Sequence, residues 1–130
     1  MTLVERKTSC IVGWSITSER NEVTLQALLD ASPQAVWYYS DLFATYRALI
    51  YTPGIHTPMP DKSQTFRVEG MNAELRHYLK RLVRKTRCFS KCLQALVRTV
   101  KLFVFAWNRR QLHRHRHPHY PTHLIDFVYP

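Results

Sequence analysis

Cysteine is scarce in this sequence of 130 residues: only Cys10, Cys88 and Cys92 occur, an odd number with no C-x-x-C pair. That excludes a disulfide framework and suits a reducing compartment. Cys88 and Cys92 stand four apart, a spacing that suits one helix face, but two soft ligands do not complete a zinc site. Long hydrophobic runs are lacking too. The most apolar stretch, "LQALVRTVKLFVFAW", is broken by Arg98 and Lys101 and is too short to span a bilayer. The opening "MTLVERK" has no apolar core of a secretory signal, so a cytoplasmic location is expected. No internal repeat is present.

Negative charge is the third scarcity. Asp and Glu number 9 against 19 Lys and Arg, a net charge of +10. The excess is localised: Arg67 to Arg116 holds 14 basic and 2 acidic residues, the remainder 5 and 7. Such a surface attracts polyanions, by phosphate neutralisation and counterion release on nucleic acid or by the same Coulomb attraction on anionic membrane. Hydrophobic residues at 45% and charged residues at 22% give an ordinary globular balance. One domain with a modest core is expected.

Thr2–Val4 and Cys10–Ile16 read as two β segments joined by a polar turn at Glu5–Thr8. "SERNEVTLQALLDAS" has helical spacing at Val23, Leu25, Leu28 and Leu29, with Pro33 just beyond. "AVWYYSD" is an uninterrupted aromatic and branched run, expected to be a strand of parallel sheet buried on both faces. Asp41 closes it, at the strand end where open α/β sheets place ligands. "DLFATYRALI" suggests a short helix, and the proline-rich "YTPGIHTPMPDKSQT" a loop.

Beyond Thr65 the apolar residues Leu75, Leu79, Leu82 and Val83 fall on one helix face, with Arg76, Lys80, Arg84 and Arg87 on another. A second helix, from about Ser90 to Gln111, is expected to bury Leu93, Leu96, Val97, Val100, Phe103, Val104 and Trp107. Its other face would carry Lys91, Gln94, Arg98, Lys101 and Asn108. Trp14, Trp37 and Trp107 are expected in the core. The parts divide as 1–112, a mixed α/β domain, and 113–130, a His- and Pro-rich tail. The tail's His113, His115, His117, His119 and His123 suit chelation of Ni²⁺ or Zn²⁺. A basic tail lying against phosphates is the simpler account, and nothing links it to magnesium.

Glu69 heads the basic helix. A first-turn carboxylate interacts favourably with the helix dipole, by about 0.3–1 kcal/mol, and in this segment alone a cap is the simpler explanation. Asp41, at a strand end with 27 residues between it and Glu69, adds a second oxygen donor. Two carboxylates from a strand end and a helix suit hard Mg²⁺, which keeps several waters, and Mg²⁺ pairs serve phosphodiester chemistry. Arg76 and Lys80 would then grip DNA beside the metal.

At these residues a resemblance appears. "YYSDLFATY", followed by "VEGMNAELRHYLKRLVRKTRCFSKCLQALVRTVKLFVFAWNRR", is similar to the C-terminal half of insertion sequence 1 family transposases, and "CIVGWSI" fits the same pattern. The likeness runs from about Leu3 to Arg110, and E-x-x-N-x-x-x-R is its most specific part. It implies a ribonuclease H-like α/β fold with a mixed sheet and long basic C-terminal helices, Mg²⁺ dependence and phosphoryl transfer on DNA ends. Asp41 and Glu69 would be the second and third acids of a DDE triad and metal ligands, and Asn72 and Arg76 match family positions. Arg76, with Lys80 and Arg84, would contact phosphates.

The triad's first Asp and its strand would lie upstream of this chain's first residue, so an N-terminally truncated domain, inactive when isolated, is expected. Glu5 is not its replacement. The implied partners are DNA, as element ends and target, and a further copy of the chain. The competing reading is a non-catalytic DNA-binding fragment that inhibits the full transposase or is left by its decay. A membrane-surface protein fits less well, because the α/β segment supplies a sheet for the apolar helix face to cover.

Overall fold

The computed structural model describes residues 1–79 and 92–127. The described chain is a small mixed α/β protein with two two-stranded sheets and several helices. It forms two compact units: one of Met1–Val4 and Val12–Glu69, the other of Glu5–Ile11 and Gly70–Pro130.

In the first unit, β1 (Thr2–Val4) pairs with β2 (Ile11–Trp14). Met1 and Ser15 exchange hydrogen bonds of 2.8 and 3.0 Å at the open end of this antiparallel hairpin. Helix α1 (Glu22–Asp30) starts where Asn21 accepts from the Thr24 N–H at 2.9 Å, which satisfies one of the donors every helix start leaves free. Leu25 is its buried residue, while Val23 faces solvent. Gln26 on α1 bonds both the N–H and the C=O of Ile50, at 2.8 and 3.2 Å, just after α2 (Ala44–Ala48).

Strand β3 (Trp37–Ser40) pairs in parallel with β4 (Ile55–Pro58), in the register Trp37 to Ile55 and Ser40 to Pro58. The parallel pairing expected of "AVWYYSD" is present, but burial on both faces is not. Trp37 is 56% exposed and Val36 also faces solvent. With only two strands in this sheet among the described residues, too little structure covers it. The stretch read as a loop contains β4. Ile55, His56 and Thr57 are too short a run between Gly54 and Pro58 to announce a strand, and pairing with β3 supplies what local pattern does not. Gly54 is required: a Cβ there would stand 2.4 Å from the Tyr38 ring and 2.5 Å from the Ala35 carbonyl oxygen.

The second unit is built on α4 (Leu93–Arg116). Leu96, Val100, Phe103, Trp107 and Gln111 are buried at steps of three and four, the seam of a one-sided helix. Each large apolar side chain there contributes about 1.5–3 kcal/mol on burial. Phe103 stacks on Trp107, with centroids 5.7 Å apart. Leu93 and Val97, expected in the core, are exposed, because the seam begins at Leu96 and runs along the other edge of their stripe. Helix α4 also continues past Gln111 into the histidine-rich segment. A 3-10 turn, Leu124–Phe127, returns to pack on α4, with Leu124 buried.

The hairpin turn docks on α4 within this unit. Asn108 was expected on the polar face. Instead its amide accepts from the Ile11 N–H at 2.7 Å and donates to the Ile11 carbonyl at 2.8 Å. Trp107 Nε1 donates to the Ser9 carbonyl at 3.0 Å. Helix α3 (Phe66–Tyr78) begins in the first unit and ends in the second, where Met71 and Leu75 are buried.

Candidate functional site

Asp41 follows directly on β3 and is exposed. Its Oδ1 accepts from the Phe43 N–H at 3.0 Å, an Asx-type turn that fixes the backbone as the chain leaves the strand. The preceding residue, Ser40, belongs to a polar cluster that the sequence did not disclose. Ser40 Oγ lies 2.8 Å from His56 Nε2 on β4 and donates to the Asp41 carbonyl oxygen at 2.8 Å. The His56 ring stacks on Tyr51, with centroids 4.3 Å apart, and Tyr51 packs on Tyr38. Burial, with the Arg47 guanidinium as a like charge, holds His56 below the ordinary imidazole value. Burial, with Tyr46 and Tyr38 beside it, pushes Tyr51 up to about 12. The cluster is therefore neutral near neutral pH. No signal in the sequence marks it, since His56 lies in the segment that reads as a loop.

Glu69 occupies the first turn of α3, as the sequence suggests. The Met59 N–H donates to the Ser40 carbonyl at 2.8 Å, so the chain leaves β4 beside the carboxyl end of β3 and enters α3 a few residues later. Both Asp41 and Glu69 thus follow the carboxyl ends of hydrogen-bonded neighbouring strands, in the same unit. Glu69 Oε2 pairs with Lys62 Nζ at 3.0 Å, with both groups well exposed. Such a pair is weak and readily exchanged, of about 0–1 kcal/mol. Lys62 was not anticipated as its neighbour.

Asn72 is half-buried and Arg76 exposed, both on the part of α3 in the second unit. Lys80 and Arg84, expected to touch phosphates, lie outside the described residues, as do Leu82, Val83, Arg87 and Cys88. No disulfide joins cysteines among the described residues, where Cys10 is buried and Cys92 exposed. Trp107 is in the core as expected, but Trp37 is not. Glu5 serves only its own turn, where its carboxylate accepts from the Lys7 N–H at 2.9 Å, the Thr8 N–H at 2.6 Å and the Thr8 hydroxyl at 2.5 Å.

Asp41 and Glu69 are two exposed carboxylates, one held in its own turn by the Phe43 N–H and the other paired with Lys62. Hard oxygen donors of this kind suit Mg²⁺, which takes one or two carboxylates and retains waters. Among the described residues no group of three or more His, Cys, Asp or Glu side chains is placed to hold an ion. No described helix is long and apolar enough to cross a membrane.

A strongly basic mixed α/β chain presents the charge that attracts polyanions. A family model described as IS1 transposase matches residues 2–107, most of the chain, and the chain belongs to that family. DNA transposition is the process the family serves, with DNA as the substrate. No curated protein and no solved structure matches the chain.

Proposed function

We propose that this chain is part of a ribonuclease H-like DDE transposase domain in which Asp41 and Glu69 supply two of the carboxylates that hold Mg²⁺. The observation that carries the reading is the family match, which spans both acids and the basic part of α3. Their positions after paired parallel strands support it. The metal, when bound, activates an attacking oxygen and offsets charge on the leaving oxygen of a phosphodiester. Asp41 and Glu69 would hold it through their side-chain oxygens, while Arg76, Lys80 and Arg84 would neutralise phosphates and Asn72 belongs to the same sequence motif. The reaction is cleavage at an element's ends followed by transfer of the strand to target DNA, in the cytoplasm. Self-association would bring two ends together.

The test is Asp41→Asn and Glu69→Gln in a transposase that carries this segment together with its upstream sequence. Metal stabilisation of the transition state is worth several kcal/mol, so each variant should lose roughly 10²-fold or more in Mg²⁺-dependent end cleavage. DNA affinity should persist in a gel-shift assay. Retained cleavage in both variants sinks the assignment. A second reading, DNA binding without catalysis, is supported by the basic charge alone, which attracts nucleic acid whether or not a metal is held. It predicts that Asp41→Asn and Glu69→Gln leave end cleavage by the longer transposase unchanged, while chain 1–130 still binds DNA ends.

A further inference from the structure

The histidine-rich end of the chain lies beyond the family match, which stops at residue 107, and the mechanism above leaves it unused. It was expected as a tail, yet α4 runs through Arg116 and includes His113 and His115, with His117 as its C-cap. His113 and His117, four apart, stand on one face, with ring centroids 4.9 Å apart and planes inclined at 46°. His113 Nδ1 is shielded from solvent and has no hydrogen-bond partner among the described residues.

We propose that His113 and His117 form a two-histidine site for a divalent transition-metal ion of the Zn²⁺ or Ni²⁺ class, with water completing the coordination. The geometry supports this directly. Metal–nitrogen bonds of about 2.0–2.1 Å put each ring centroid about 3.2 Å from the ion, so two imidazoles at a tetrahedral angle have centroids about 5.2 Å apart, and at a right angle about 4.5 Å. The observed spacing lies between those limits. Both rings are also braced. His113 packs on Phe127 at 5.4 Å and His117 meets Tyr120 edge-on at 6.0 Å, so ligand orientation is fixed in advance. Arg110 Nε donates to the Thr122 carbonyl at 3.1 Å, which ties the returning segment to the helix.

Electrostatics select the ion. The C-terminal end of a helix favours a cation, here offset by Arg114 and Arg116 in the same turn. Neutral imidazole binds borderline ions well, whereas Mg²⁺ and Ca²⁺ prefer oxygen donors. The site is thus chemically separate from the Asp41 and Glu69 carboxylates and stands or falls independently of them. A bound ion would clamp the end of α4.

Titration calorimetry of the full chain with Zn²⁺ and with Ni²⁺, in excess Mg²⁺, tests this. One saturable site per chain is expected. His113→Gln and His117→Gln should each weaken it by at least about tenfold, a loss of about 1.4 kcal/mol. The double variant His115→Gln/His119→Gln should leave it within about twofold. Because His117 is exposed at the cap, its variant should keep the helix by circular dichroism even if His113→Gln does not fold. No saturable site, or equal losses from the His115/His119 variant, overturns the proposal.

Discussion

At the residue scale, what a carboxylate does is decided by which donors surround it. Glu5, Asp41 and Glu69 are all acids near element ends, yet only Glu5 has its carboxylate occupied by three donors from its own turn. Burial raises the Glu5 pKa, but the hydrogen bonds from Thr8 and Lys7 outweigh it and leave the pKa lowered. A lowered folded value means that the ionised form stabilises the native state. That contribution is complete above the ordinary value of 4.5 and fades as pH falls through the lower folded value. Glu5→Gln should therefore reduce stability by about 1–2 kcal/mol at neutral pH, a figure already discounted for partial exposure. Thermal melts across the acidic range should show the gap between wild type and variant closing below that carboxylate value. A constant gap would mean that the turn does not depend on the charge.

At the element scale, the hairpin is tied to α4 as well as closed by its own hydrogen bonds. Asn108 satisfies both backbone groups of Ile11, and Ile11 is itself buried. Asn108→Leu keeps the branched shape but leaves a buried N–H and C=O without partners, and should cost about 1–3 kcal/mol in urea unfolding. An unchanged midpoint would show that the pair is dispensable. Much of this level was legible. The α1 helix, the short α2, the acid at the head of α3 and a strand ending at Asp41 all follow from local spacing and chemistry. Strand β4 and the amide at Asn108 were not, because a three-residue run carries no period and an asparagine on a helix gives no sign of its partner.

At the scale of the whole molecule, charge is the dominant feature. The span from Arg67 to Arg116 carries +12 against −2 in the rest of the chain, so any affinity for DNA should fall steeply with salt. A plot of log affinity against log salt should lose about 0.9 in slope on Arg76→Ala if that side chain neutralises one phosphate. A slope equal to wild type would remove Arg76 from the DNA surface while leaving the family assignment untouched.

The charge asymmetry, the family resemblance, the order of most elements and the two acids that follow the strands are readable from residue order alone. These depend on residue type and short-range spacing, which the chain carries without reference to its fold. Only the tertiary structure decided that Trp37 is exposed, that β4 exists, that α4 buries Leu96 rather than Leu93, and that His113 and His117 stand together on a helix. Burial and pairing are properties of what covers a segment, and the covering residues come from distant parts of the chain.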